Sequence, residues 1–334
     1  MSLYTDNALI LAPLSGYTDL PYRETMRRFG CYYAFTEMID ASALVYARQR
    51  TEHMLTRGGD EPWLGVQLVS NNPDHLKIAV KLLNGYHFDV VDFNLGCPVP
   101  KVTKKGAGAA LGKNIERALD LFAIIADNST HPVTAKVRIL DRENAEPTLK
   151  LVKGLAERGA KAITVHGRLA QEFYSGEPAF GIIRQCRDVL PVKVIANGGV
   201  MGVESYDEMR RDSGCDTVMI ARGSMGNPWI FSELRNRNDY TPPSLAELLE
   251  VMKFHVLGLM DFYGEEKGIR VARKTILDYL RGRGFQGEWR GRAALVDSKE
   301  EFLRLLAEAP QYHNDDYWRT ADAGKNAARR LSCR

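Results

Sequence analysis

Cys97 is the side chain in this sequence best placed to do chemistry. It sits in Asn94-Leu95-Gly96-Cys97-Pro98, just past the β-branched and aromatic run Phe88-Asp89-Val90-Val91-Asp92-Phe93, which reads as a strand. Gly96 and Pro98 stop that strand and turn the chain, so the thiol is presented from a rigid support. No Cys-x-x-Cys spacing accompanies it and no neighbouring His could serve as its base, which argues against a metal site or a redox disulfide. Two readings stay open on this segment alone. One is a small buried core thiol, the other a proton donor to a molecule bound at the strand end.

Further candidates lie at the ends of other apolar runs. In Val133-Thr134-Ala135-Lys136-Val137-Arg138, strand alternation puts Lys136 and Arg138 on one face and Val137 on the other, and two cations side by side call for an anionic ligand. Gln67 offers both a donor and an acceptor to the edge of a heterocyclic ring. His166, alone at its strand end, reads equally well as a satisfied core histidine. The segments Asn197-Gly198-Gly199-Val200 and Ala221-Arg222-Gly223-Ser224-Met225-Gly226 are glycine-rich, so backbone N–H groups can approach a phosphate, with Arg222 adding charge.

These residues need a scaffold that brings strand ends together. Strand-like runs recur at Leu9–Leu14, Tyr33–Ile39, Trp63–Val69, Phe88–Leu95, Val133–Ile139, Ala162–His166, Lys193–Ala196 and Thr217–Ile220. Segments of helical periodicity separate them, such as Ile115–Ala126 and Thr148–Glu157, the latter followed by Gly159. Eight alternations predict an α/β fold, a (β/α)8 TIM barrel, whose active site lies where the strands end. A doubly wound sheet is the alternative, weakened because no Gly-x-Gly-x-x-Gly follows the first strand. Past Thr241-Pro242-Pro243 the alternation gives way to long helical patterns, Leu245–Phe262 and Gly268–Arg281. The expected organisation is therefore a barrel over 1–241 and a smaller C-terminal helical domain over 242–334, with Pro242-Pro243 as a hinge.

The chain has 334 residues, 45% hydrophobic and 26% charged, ordinary values for a soluble globular protein. A net charge of +3 is too small to identify a nucleic-acid partner, so local clusters carry that question. One is Lys101, Lys104 and Lys105, in the loop after Cys97; the other runs from Lys267 to Arg292, where Arg270, Arg273 and Lys274 fall at i, i+3 and i+4. Both could be solvated faces, and both could grip a phosphate backbone. Phe285 and Trp289 interleave with the second cluster and could equally be core. The five cysteines (31, 97, 186, 215 and 333) form no disulfide framework, as expected in the cytoplasm. Neither a signal peptide nor a membrane span is expected.

Taken together, Ala12-Pro13-Leu14-Ser15-Gly16-Tyr17-Thr18-Asp19, Thr36-Glu37-Met38, Val66-Gln67-Leu68, Asn94-Leu95-Gly96-Cys97-Pro98, Lys136-Val137-Arg138, His166-Gly167-Arg168, Ala196-Asn197-Gly198 and Gly226-Asn227-Pro228-Trp229 make the chain resemble the tRNA-dihydrouridine synthases over essentially its whole length. Asp261-Phe262-Tyr263-Gly264 with Arg270-Val271-Ala272-Arg273-Lys274 is most similar to the bacterial B-type branch. The resemblance implies bound FMN, NADPH as reductant, tRNA as substrate, and a monomer with no metal. Hydride would pass from the flavin to uracil C6 while Cys97 protonates C5. Carried over residue by residue, Pro13, Leu14 and Ser15 would line the flavin. Gln67, Lys136 and His166 would meet its ring, and Asn197, Gly198, Gly199, Ala221 and Arg222 its phosphate end. Asn94, Arg138 and Arg168 would face the substrate, while Lys104, Lys105, Arg270, Arg273 and Lys274 would hold the tRNA body. Leu14, Gly199 and Ala221 depart from the family's usual Met, Asp and Gly. The competing expectations are a flavin barrel acting on a free pyrimidine such as dihydroorotate, and an RNA-binding barrel without activity.

Overall fold

A computed structural model describes residues 3–314 of the chain. Eight parallel strands close into a barrel in sequence order: β1 (Leu9–Leu11), β2 (Tyr33–Asp40), β3 (Trp63–Val69), β4 (Val90–Leu95), β5 (Val133–Arg138), β6 (Ala162–His166), β7 (Lys193–Asn197) and β8 (Val218–Ile220). Helices connect successive strands, so the chain has the (β/α)8 fold. The β3 and β6 ranges coincide with the expected runs. β1 is shorter, because the chain turns at Leu14, whose carbonyl oxygen accepts from the N–H groups of Tyr17 and Thr18.

The strands hold together as they do because both of their faces are covered. Val90, Val91, Phe93 and Leu95 of β4 are all buried, as are Ala135 and Val137 of β5. Such two-sided burial is the signature of a parallel sheet covered by helices outside and packed within. The barrel interior is filled by an aromatic group made of Tyr4, Tyr33, Phe35 and Trp63. Their rings meet edge-on or tilted, with centroids 5.2 Å apart for Tyr4 and Trp63 and 5.4 Å for Phe35 and Trp63. This plug stands at the first residues of β2 and β3, leaving the opposite, C-terminal strand ends for polar side chains.

The chain divides into two compact units. Among the described residues, the first is the barrel, comprising 3–19, 32–200 and 204–221; the second comprises 20–31, 201–203 and 222–314. The division thus falls at Ala221–Arg222, ahead of the Pro242-Pro243 pair, and the first helix of the chain, Leu20–Arg27, counts with the helical unit. Its Tyr22 explains why. The Tyr22 hydroxyl hydrogen-bonds the Ser224 hydroxyl at 2.9 Å and its ring meets His255 edge-on at 5.4 Å.

The helical unit is built around Leu245–Tyr263 and Glu265–Leu280, near the ranges the sequence predicts. Ser244 caps the first, its hydroxyl accepting from the Glu247 N–H. Val251, Met252, Val256, Ile269, Ala272 and Ile276 are among the side chains that form its core. Phe285 and Trp289 stack there with centroids 5.0 Å apart, and both are buried. They are core, not a platform for bases. Gly226-Asn227-Pro228-Trp229 is anchored in the same unit. Gly226 has φ +61, and a Cβ there would lie 2.3 Å from the backbone of Asp278, so only glycine fits. Arg283 donates to the Gly226 and Tyr279 carbonyl oxygens at 2.7 Å each, and the Trp229 indole N–H donates to Glu247 Oε1 at 2.7 Å. Cys333 lies outside the described residues.

Candidate active site

One continuous hydrogen-bonded chain of side chains runs through β3, β4 and β5 and ends at the turn after β4. Strand register sets it up: Gln67 pairs with Asp92, and Asp92 with Thr134. Asp92 is buried and accepts on both oxygens, from Thr134 Oγ1 at 2.6 Å and from Gln67 Nε2 at 2.7 Å. Gln67 Oε1 accepts from Asn94 Nδ2 at 2.7 Å. Asn94 Oδ1 in turn accepts from the backbone N–H groups of Gly96 at 3.1 Å and Cys97 at 2.9 Å. The turn that presents Cys97 is therefore tied, through Asn94 and then Gln67 of β3, back to a buried carboxylate on its own strand. Burial pushes the Asp92 carboxyl up to about 6, against the lowering effect of Thr134, Gln67 and the Lys136 charge.

Cys97 is half-buried. Burial pushes its thiol above its ordinary value of 9.0 by more than the Val99 backbone hydrogen bond and the charges of Arg138 and Lys136 lower it. At neutral pH the sulfur therefore carries its proton, which suits an acid rather than a nucleophile. Among the described residues the other cysteines, Cys31, Cys186 and Cys215, are buried.

On the neighbouring strand β5, in register with Asn94, Lys136 Nζ donates to Asn197 Oδ1 at 2.8 Å, and Asn197 Nδ2 donates to the Met219 carbonyl oxygen at 2.8 Å. Burial, then the nearby Arg138 charge, lower the Lys136 ammonium to about 8, while Asp92 and Cys97 oppose the shift. An enclosed cation with donors to spare fits an anionic or electron-rich ligand. The register continues through Arg138, His166 and Asn197. Gly198, with φ +122, follows; a Cβ there would come within 2.7 Å of His166 Cδ2 and 3.4 Å of Arg168 Nη1. Its missing side chain keeps the backbone open beside two cationic or polar groups, as a phosphate cradle requires. These features fit FMN: a cation and amides toward a ring, and a glycine backbone with basic neighbours toward a phosphate.

The expected residues are placed as follows. Pro13 and Leu14 are partly exposed and Ser15 exposed, just past β1. Gln67, Lys136, His166, Asn197, Gly198 and Gly199 gather at the barrel mouth. Ala221 ends the barrel unit, and Arg222 begins the longest segment of the helical unit. Arg138 and Arg168 spend donors on loop carbonyls: Arg138 on Gly96 and Leu169, both at 2.9 Å, and Arg168 on Gly176 at 2.9 Å and Ser175 at 3.2 Å. Lys104 and Lys105 are exposed, and Lys105 pairs with Asp40 at 2.9 Å. In the helical unit the three basic residues are not one free face. Arg270 pairs with Glu266 at 2.7 Å, Arg273 donates to the carbonyl oxygens of Val296 and Leu295 at 2.8 and 3.2 Å, and Lys274 is partly buried. Asp92 and Thr134 are the site residues that sequence reasoning missed. Asp92 had a signal, a charged residue inside Val90-Val91-Asp92-Phe93, where burial is costly without a partner.

Among the described residues, no helix is long and apolar enough to cross a membrane, and no cluster of His, Cys, Asp and Glu could hold a metal. The sequence profile of the family described as Dihydrouridine synthase (Dus) matches residues 10–314. The chain is 33% identical over 305 residues to the probable tRNA-dihydrouridine synthase of Rickettsia conorii, covering 90% of this chain and 92% of that one. It is 32% identical over 305 residues to tRNA-dihydrouridine synthase B of Pasteurella multocida, covering 90% and 92%. A probable tRNA-dihydrouridine synthase of Rhizobium leguminosarum is 34% identical over 274 residues, covering 82% and 85%. With the barrel, the Cys97 turn and the cationic mouth in place, the chain belongs to the dihydrouridine synthase family.

Proposed function

We propose that this protein is a tRNA-dihydrouridine synthase that reduces the C5–C6 bond of uridines in tRNA, with Cys97 as the general acid and FMN and NADPH as its redox cofactors. The observation that supports this reading is a protonated, half-buried thiol past the end of β4, with Lys136 on the adjacent strand and Asn197 hydrogen-bonded to Lys136 and followed by Gly198. When bound, FMN supplies the hydride for C6. Gln67 and Lys136 would hold its ring, with His166 beside them; Gly198 and Gly199 would hold its phosphate. Pro13, Leu14 and Ser15 would line the near side.

The protein's own residues do the rest. The Cys97 sulfhydryl gives its proton to uracil C5, and its raised pKa keeps that proton available at neutral pH. Asn94 spends its carbonyl oxygen on the Cys97 turn and one amide hydrogen on Gln67. The second amide hydrogen is available to orient the uracil. A stacked base cannot enter a barrel mouth, so the nucleotide must be swung out of the RNA before it is reduced. Lys104 at the loop after Cys97 and Arg270 on the helical unit are the exposed cations suited to phosphates. The scattered positions of the cysteines along the chain agree with action in the cytoplasm.

The test is conversion of unmodified tRNA, read as dihydrouridine by mass spectrometry. Cys97→Ala is expected to lower the rate by about 10²- to 10⁴-fold, the range that general-acid catalysis contributes, while the yellow flavin spectrum and salt-dependent tRNA binding persist. Full activity of the variant would take Cys97 out of the mechanism. Reduction of free uracil or orotate derivatives in preference to tRNA would replace the substrate.

A further inference from the structure

Asn94, Gln67 and Asp92 form a chain in which each amide can point in only one direction, and both ends of the chain impose the same one. At the upper end stand two backbone N–H groups, Gly96 and Cys97, which can only donate. They require the oxygen of Asn94, which turns its NH₂ toward Gln67. Gln67 must answer with its oxygen, so its own NH₂ points at residue 92. At the lower end stands a carboxylate, which as an anion can only accept. A flip of either amide would set donor against donor or acceptor against acceptor within a buried chain, where an unmade hydrogen bond is most costly.

We propose that Asp92 is a positioning residue for the reaction: its carboxylate fixes the amide polarity of Gln67 and Asn94, and through them the backbone of the turn that aims the Cys97 thiol. Asp92 touches neither substrate nor cofactor in this scheme. Thr134 is its counterpart, a hydroxyl that donates to the second carboxylate oxygen at 2.6 Å and can rotate to accept instead. The arrangement explains why an acid stands in β4 at 2% exposure, in a strand whose other side chains, Asn94 aside, are Val, Phe and Leu. It also makes Gln67 a defined hydrogen-bond partner rather than a flexible one. Its second amide hydrogen and the unused side of its oxygen have fixed places for any ring laid against them.

The inference rests on the proposed acid role of Cys97 for its kinetic consequence, but not for its structural one. The two are therefore measured separately in the purified full-length protein, by iodoacetamide labelling of Cys97 read by peptide mass spectrometry and by steady-state kinetics on tRNA. Asp92→Leu matches the shape of Asn and removes the acceptor. It is expected to change the Cys97 labelling rate at least about fivefold and to lower kcat about 100-fold, with KM for tRNA within about twofold. Asp92→Asn can still offer an oxygen to Gln67 while its NH₂ donates to the rotated Thr134 hydroxyl, and is expected to restore both readouts to within about threefold. Should Asp92→Leu fail to fold, Asp92→Ala removes the same acceptor and leaves room for water. A folded Leu or Ala variant with wild-type labelling overturns the proposal, as does an Asn variant as impaired as the Leu one. If Cys97→Ala proves fully active, the labelling result still decides the positioning role by itself.

Discussion

The barrel mouth and the helical unit use charge in opposite ways. At the mouth, Asp92, Lys136 and Arg138 sit in covered strands whose remaining side chains are mostly apolar, and burial shifts the first toward neutrality at about 6 and the second at about 8. Strand packing alone gives no reason to place them there. In the helical unit the basic residues are more numerous, yet most serve the unit itself. Arg283 holds the Gly226 loop, Arg273 holds the carbonyls of Leu295 and Val296, Arg281 pairs with Asp278 at 2.9 Å and Arg292 with Glu308 at 2.6 Å. A few buried charges at strand ends therefore mark the chemical site more clearly than a dense run of basic residues marks an RNA surface. Charge that is expensive to keep is informative; charge that folds the unit is not.

The largest expected effect tests how tightly the helical unit is clamped. Gly226→Ala puts a Cβ against the backbone of Asp278 and Tyr279 at a φ of +61, and should cost about 4 kcal/mol, at the severe end for a single substitution. Urea unfolding measures it. A loss under about 1 kcal/mol would mean that the Gly226 loop is free to move and that Arg283 does not pin it.

Next comes the electrostatic cost at the mouth. The Asp92 carboxyl rises from 3.8 to about 6 in the folded protein, so between these values the native state keeps a proton that the unfolded chain has given up. Its contribution to stability therefore falls as pH rises through that window, by about 3 kcal/mol in all. Lys136 and the Tyr4 hydroxyl share its field, and they titrate well above it. The stability of Asp92→Asn relative to the wild type should thus increase by about 2.5 kcal/mol between pH 4 and pH 7. A difference that stays flat with pH would show that Asp92 is not desolvated, and the contrast between the two regions would lose its main support.

The same contrast decides what could be read from the sequence. Strands β3 and β6 were legible to the residue because β-branched runs there are bounded by clear breaks. The places of Cys97 and Asn197 were legible because each stands at such a break, and that of Lys136 because a cation inside an apolar run is unusual. Asp92 and Thr134 were not, since their meaning lies in partners 25 and 42 residues away on neighbouring strands. Arg273 was read on helical spacing as part of a phosphate-binding face, yet its guanidinium reaches carbonyls 22 and 23 residues onward. The residues of Leu20–Arg27 follow β1 as a barrel helix would, but Tyr22 ties them to Ser224 and His255. Local pattern shows what element a residue is in; it does not show which distant group that residue will meet.

The smallest effect sharpens the comparison within the helical unit, by separating two arginines one helical turn apart. Arg273 makes two charge-assisted bonds to the backbone after the next helix and is only partly exposed, so Arg273→Ala should cost about 2 kcal/mol in urea unfolding. Arg270 has an exposed i, i+4 partner in Glu266, and Arg270→Ala should change stability by less than about 0.5 kcal/mol. Instead, it should lower tRNA affinity and reduce the slope of log affinity against log salt by about one. The reverse outcome, with Arg270 holding the fold and Arg273 alone setting the salt dependence, would mean that the carbonyl contacts of Arg273 are given up to RNA. In that case the helical unit, like the barrel mouth, would hide its functional charge among groups that look structural.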